Sequence, residues 1–173
     1  MTNLRELLTE AMGLARTPIS DQDFIENYNR AVFELENKYD TAKRVDNRTI
    51  ECTDIKEEYP LSDGSYGIVR ILDSSGNYTS NYNLRDDSIL FGRAGTYRVY
   101  EKLPNPRIKS MNDTPTINSA YNYPIAHYIA SKLCGDKTRA EDLMHDYVLM
   151  SEQVNFNLKN KKPTHRMKAP IFR

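Results

Sequence analysis

The chain has 173 residues, of which 39% are hydrophobic and 28% charged, with 24 basic and 24 acidic side chains. This composition belongs to a soluble globular chain with a modest core and a large polar surface, and it excludes collagen-like and low-complexity classes. No apolar run nears the ~18–20 residues of a membrane helix, and the opening MTNLRELLTEAM carries acids where a secretory signal carries cations.

The first predicted helix covers about 3–16. Thr2 or Asn3 caps it, and Leu4, Leu7, Leu8, Ala11 and Leu14 share one face. Thr17-Pro18 stops it, because the residue before a proline is pushed out of helical geometry. Ser20 followed by Asp21 and Asp23 is a helix start with acids in the first turn. Behind it Phe24, Tyr28, Ala31, Val32, Leu35, Tyr39 and Ala42 recur at three- and four-residue steps. They predict a second helix over about 21–43 that packs antiparallel against another long helix.

From about 48 to 102 the period falls to two. Thr49–Thr53, Ile68–Leu72, Tyr78–Tyr82, Ile89–Phe91 and Thr96–Lys102 are strand candidates, with turns at Ser74-Ser75-Gly76-Asn77 and Gly92-Arg93-Ala94-Gly95. In the last strand Tyr97 and Val99 point one way, Arg98 and Tyr100 the other. One small, mostly antiparallel sheet inserted between helices is expected, followed by a proline-broken loop over Leu103–Thr116.

The third helix is placed over about 123–134, since Pro124 is tolerated only in a first turn. Ile125, Ile129 and Leu133 form its stripe, and Gly135 is the expected left-handed residue after its end. Thr138-Arg139-Ala140-Glu141 reads as a capping box for a fourth helix over about 138–159, with Leu143, Tyr147, Met150, Val154 and Leu158 on its stripe. The expected class is α+β: an antiparallel bundle of about four helices in one domain over 1–158, a β insertion between helices 2 and 3, and an extended tail over 159–173. The stripes of helices 2 and 4 are the two sides of one core.

The tail is where charge separates. After Glu152 no acid remains, while Lys159, Lys161, Lys162, Arg166, Lys168 and Arg173 leave a body of net −6 and a tail of net +6. Pro163 and Pro170 keep the tail from forming one helix. Such segregation marks a segment that leaves its own domain for a partner. Apolar residues among the cations (Met167, Ala169, Ile171, Phe172) suit a protein groove better than a nucleic-acid backbone. Nonspecific phosphate binding by the tail is the alternative reading.

Catalytic patterns are not visible. His127, His145 and His165 stand alone, outside HxxxH, HExxH or any Cys/His cluster. Asp86-Asp87 and Glu57-Glu58 lack a third ligand nearby. Gly92-Arg93-Ala94-Gly95 has neither the lysine nor the helix of a phosphate loop, and no serine sits in GxSxG. No enzymatic activity, cofactor or metal is expected. Cys52 and Cys134 read as free thiols of a reducing cytoplasm. Twelve tyrosines and no tryptophan point either to wet protein–protein surfaces or to ordinary half-buried tyrosines.

The order of segments, together with Tyr59-Pro60-Leu61, Val69-Arg70-Ile71-Leu72-Asp73 with Gly76, Gly95-Thr96-Tyr97-Arg98-Val99-Tyr100 and Leu103-Pro104-Asn105-Pro106, resembles the head-to-tail adaptor (head completion) proteins of tailed bacteriophages. The resemblance covers about 3–160. The polar stretch Asn118–Asn122 before the third helix departs from it. The resemblance implies a structural virion protein of the phage neck, made in the host cytoplasm. Twelve copies would form a ring that docks on the portal protein, extends the DNA channel and offers a platform for tail or nozzle proteins. Packaged DNA would pass without specific binding, which an acidic lumen favours by repelling phosphates. As a portal ligand the tail would use Lys161, Lys162, Arg166 and Lys168 for charge and Ile171 and Phe172 as apolar anchors.

Overall fold

A computed structural model describes residues 3–161. Over these the chain is mixed α/β, with four α-helices and two small antiparallel sheets. Helix α1 is Leu4–Ala15, capped by the Asn3 side chain, which accepts from the Arg5 amide. It ends at Arg16 in the left-handed region, φ 55°, ahead of Thr17-Pro18. Helix α2 is Asp21–Lys38, and the Ser20 hydroxyl accepts from the Asp23 amide as the spacing predicts.

The predicted end of the second helix is corrected. Tyr39 leaves helical geometry at φ −132°, ψ 120°, and Asp40–Ala42 form a 3-10 turn. Tyr39 and Ala42 nevertheless stay buried, so the apolar spacing outlasts the helix that it was taken to mark.

The β region follows as β1 (Arg44–Cys52), β2 (Tyr59–Pro60), β3 (Gly67–Leu72), β4 (Tyr82–Arg85), β5 (Ser88–Phe91) and β6 (Gly95–Leu103). It begins earlier than expected and makes two sheets instead of one, in the orders β1-β6-β3 and β2-β5-β4. The expected strand at Tyr78–Tyr82 is largely a connector: Tyr78 makes only an isolated bridge to Leu72, and pairing starts at Tyr82. Alternation in β6 is as expected, with Tyr97, Val99, Glu101 and Leu103 buried. The inner faces of the two sheets share a small core of Ile50, Cys52, Ile71, Ile89, Phe91, Tyr97 and Val99. Phe91 stacks on Tyr97 at 4.1 Å between ring centres and meets the edge of Tyr59 at 5.7 Å.

Helix α3 is Asn122–Leu133, preceded by a 3-10 turn at Ser119–Tyr121, so Pro124 falls in its first turn. Helix α4 is Lys137–Asn160. Its cap is Asp136, whose carboxylate accepts from the Arg139 amide at 3.2 Å. This displaces the predicted Thr138 box: a carboxylate one residue ahead of the first turn takes the free amide. Gly135 does not adopt a positive φ. The α3 segment closes instead through Cys134, whose amide donates to Ala130.

The helical core differs from the expected pairing of two stripes. Helix α3 is its hub, with every residue from Pro124 to Ser131 buried, and it packs against α1, α2 and α4. Thr41 joins the two ends of the α3–α4 hairpin by bonding both the Tyr121 hydroxyl and Asn155. Phe24, Leu35, Tyr121, Ile125 and Ile129 are fully buried in this cluster.

The loop Leu103–Thr116 is a loop, but a fastened one. Asn105 donates from its backbone and its side-chain amide to Glu36 of α2, and from the amide to the Ala42 carbonyl at 2.9 Å. Asn29 brackets Ile108 with two reciprocal bonds of 2.9 and 3.0 Å. Both polar side chains replace a missing backbone ladder, as buried polar groups require.

Candidate functional site

Of the tail residues predicted to bind a partner, only Lys161 falls among the described residues. It caps α4, its amide donating to the Asn157 carbonyl. Lys162, Arg166, Lys168, Ile171 and Phe172 lie outside the described residues.

His127, Asp86, Glu57 and Glu58 are used in structure, and His165 lies outside the described residues. His127 is buried, with Nδ1 3.1 Å from the Tyr123 carbonyl and its ring against Tyr123. Burial holds the nearby Glu10 carboxyl above its ordinary value, partly opposed by His127. Asp86-Asp87 is the tight turn between β4 and β5, where Asp86 takes φ 47°, a conformation that aspartate tolerates. Glu57 accepts from the Tyr59 hydroxyl, while Glu58 meets Arg85 and Ser88. Among the described residues no group of three or more His, Cys, Asp or Glu could hold a metal ion, and no helix is long and apolar enough to cross a membrane. The Gly92–Gly95 turn lines an open cleft of about 600 Å³ with Asp73, Ser74, Thr79 and Asn81. That lining offers hydroxyls, amides, Arg93 and the Asp73 carboxylate, which is engaged in the turn by the Ser75 and Asn77 amides.

What stands out instead is a surface. On the outer face of the β1-β6-β3 sheet Asn47, Thr49, Arg70 and Arg98 are exposed. The register sets Arg70 of β3 opposite Tyr100 of β6, and Leu72 opposite Arg98. On the other side of β6, Asn47 lies opposite Tyr100 and Thr49 opposite Arg98. The Arg70 guanidinium rests 4.2 Å over the Tyr100 ring and reaches the Tyr78 hydroxyl at 3.4 Å. A hydrogen bond with Arg98 holds the Tyr100 phenol below its ordinary value against the opposing effect of burial, and Arg70 adds to the lowering. Tyr78 is 69% exposed.

The cations of the β region divide sharply. Arg44 pairs with Asp46, Arg48 with Glu101, Lys43 and Lys102 with Asp40, and Arg85 with Glu58. Lys56, Arg70, Arg93 and Arg98 make no ion pair among the described residues, and of these Arg70 and Arg98 are diagonal neighbours on one face, where like charges repel. No sequence motif marks this face, because its members, from Asn47 to Tyr100, are far apart in the chain and meet only through strand register.

The tyrosine excess resolves by position. Tyr28, Tyr39, Tyr97, Tyr121, Tyr128 and Tyr147 are buried, while Tyr66, Tyr78 and Tyr123 are exposed. The buried six belong to the two cores. Comparison with known protein families and with curated proteins yields no match.

Proposed function

We propose that the chain is a structural adaptor of a tailed-phage neck, a ring component that docks on the portal and carries tail or nozzle proteins below it. The observation that carries the reading is where its motif residues lie. Tyr59-Pro60 is a strand of the second sheet, and the Pro60 carbonyl accepts from Arg48. Gly76 makes a positive-φ turn, and Asn105 fastens the β region back onto α2. The resemblance thus rests on joints of the fold, in the order helix, helix, β region, helix, helix.

The role suits the physics of the chain. A neck component must grip its neighbours through broad surfaces and let DNA slide. An exposed sheet face offers the first and an acidic body the second. Twelve copies would match a twelve-fold portal. The cationic tail would add a contact that exists only once the portal is present.

Imaging of the assembled neck tests the proposal. A ring of this chain directly beneath the portal is expected, and single copies, or copies away from that vertex, would refute it. Removing Pro163–Arg173 is expected to abolish portal docking and leave the folded body intact. Phe172→Ala should weaken docking by about 1–3 kcal/mol if the ring fills a pocket. Docking that survives truncation while DNA binding is lost would favour the nucleic-acid reading of the tail, whose affinity should fall steeply with salt.

A further inference from the structure

Two unpartnered faces of the chain are chemically complementary. The first is the outer face of β1-β6-β3, where Arg70 and Arg98 flank Tyr100 with no counter-ion among the described residues, beside exposed Tyr78 and Val69. Among the described strand residues of that face, Glu51 opposes that charge, opposite Thr96 and one pair beyond Arg98. The second is the outer stripe of α4. At 100° per residue, Asp142, Asp146, Leu149, Gln153 and Phe156 fall on one line, opposite the buried Leu143, Tyr147 and Ser151. Leu149 is 51% and Phe156 66% exposed, and neither Asp142 nor Asp146 forms an ion pair among the described residues.

We infer that these two faces bind each other between copies of the chain: the arginine–tyrosine sheet face of one copy takes the Asp142–Phe156 stripe of α4 of the next. The inference rests on the ring reading and names its contact. Two guanidinium forks held apart by a tyrosine match two carboxylates one helical turn apart, since Asp142 and Asp146 are four positions apart. The apolar end of the stripe, Leu149 and Phe156, supplies what Tyr78 and Val69 need to leave water. Tyrosine, arginine and phenylalanine are the residues that concentrate energy at protein interfaces. The acidic stripe of a second copy is favoured over a nucleic acid because the sheet face shares its surface with neutral Asn47 and Thr49. A phosphate ligand would also leave Leu149 and Phe156 uncovered.

The two faces are different patches, so the contact is head-to-tail. Head-to-tail contacts propagate from copy to copy and close into a ring when the rotation allows. A reciprocal two-fold dimer would need both sheet–stripe contacts to form at once between the same two copies, whereas a head-to-tail array needs one contact per neighbour.

Charge reversal in the full-length chain tests this. Sedimentation is measured over a rising concentration series for the wild type, Arg70→Glu/Arg98→Glu, Asp142→Arg/Asp146→Arg, and an equal mixture of the two variants. Wild type is expected to self-associate, less so as salt rises, and each variant alone to stay monomeric. The mixture is expected to regain association, because it restores one native contact and one inverted contact. All four substituted side chains reach solvent, and circular dichroism of each variant checks that it folds. A wild type that remains monomeric at every concentration would overturn the inference. So would variants that associate like the wild type, or a mixture that does not recover. If instead Arg70→Glu/Arg98→Glu abolishes binding of a labelled single-stranded DNA and leaves self-association unchanged, the face belongs to nucleic acid and the inference falls. A ring seen under the portal with these faces open to solvent would remove the contact and keep the adaptor reading.

Discussion

The helical region and the β region bury their side chains in opposite ways. The helices enclose a hub: α3 is buried from Pro124 to Ser131, and its neighbours contribute fully buried Phe24, Leu35 and Tyr121. The sheets enclose seven buried residues and rely on polar fasteners. Glu101, 2% exposed, accepts from Arg48 at 3.0 Å and from the Ser62 amide at 3.0 Å. Arg48 also donates to the Pro60 carbonyl, so one ion pair links the two sheets. The difference teaches that cooperativity here is uneven: apolar packing holds one half, and directional bonds hold the other half and the seam.

Four experiments sharpen that contrast. Truncating the hub's packing has the largest effect. Phe24→Ala is expected to cost about 3–5 kcal/mol and to lower the unfolding midpoint of the whole chain in a denaturant titration. Glu101→Ala is expected to cost about 1–3 kcal/mol, less than a fully buried pair would, because the Arg48 side chain is 36% exposed. Its signature is regional: amide exchange should accelerate in β1, β3 and β6 and stay slow in α3. Equal acceleration in both regions would show a single cooperative unit.

The seam is tested next. Asn105→Ala removes the side-chain bonds to Glu36 and to the Ala42 carbonyl, keeps the backbone amide on Glu36 and leaves that buried carboxylate one donor short, a loss of about 1–2 kcal/mol. Exchange should rise first in the 104–116 loop and in the first residues of β1. The smallest effect is electrostatic. Hydrogen bonds from Lys43 and Lys102 hold the Asp40 carboxyl at about 2, below its ordinary 3.8. A carboxyl lowered on folding contributes stability that is complete above its unfolded value and lost as the pH falls from 3.8 toward 2. Asp40 is mostly exposed, so the contribution is about a few tenths of a kcal/mol and should shrink with salt. Asp40→Asn should flatten the acid limb of a stability–pH curve between those values.

How much was legible in the sequence follows the same divide. Helix starts at Asn3 and Ser20 were readable because a cap is a local bond, and β6 because alternation is local too. The hub was half readable. Ile125 and Ile129 announce one stripe, but Ala126, His127, Ala130 and Ser131 complete the burial and carry no strong apolar signal. The end of α2 was misplaced because spacing reports burial and not backbone hydrogen bonding. Two sheets were read as one because a two-residue strand such as β2 has no period. The paired arginines of the open face were invisible, since strand register and not spacing brings Arg70 to Tyr100. The predicted tail site beyond Lys161 lies outside the described residues.

The position of the hub has a consequence for how the chain is made. The segment that α1 and α2 must embrace is separated from them by the entire β region, so on the ribosome the first two helices emerge with their apolar faces uncovered. They wait until α3 leaves the exit tunnel. Contacts of such long sequence separation slow folding and lengthen the exposure of sticky intermediates. The β region, whose six strands are consecutive and whose core is its own, can assemble during that wait. Synthesis order therefore reverses the order of burial: the better-packed half of the molecule is the last to close.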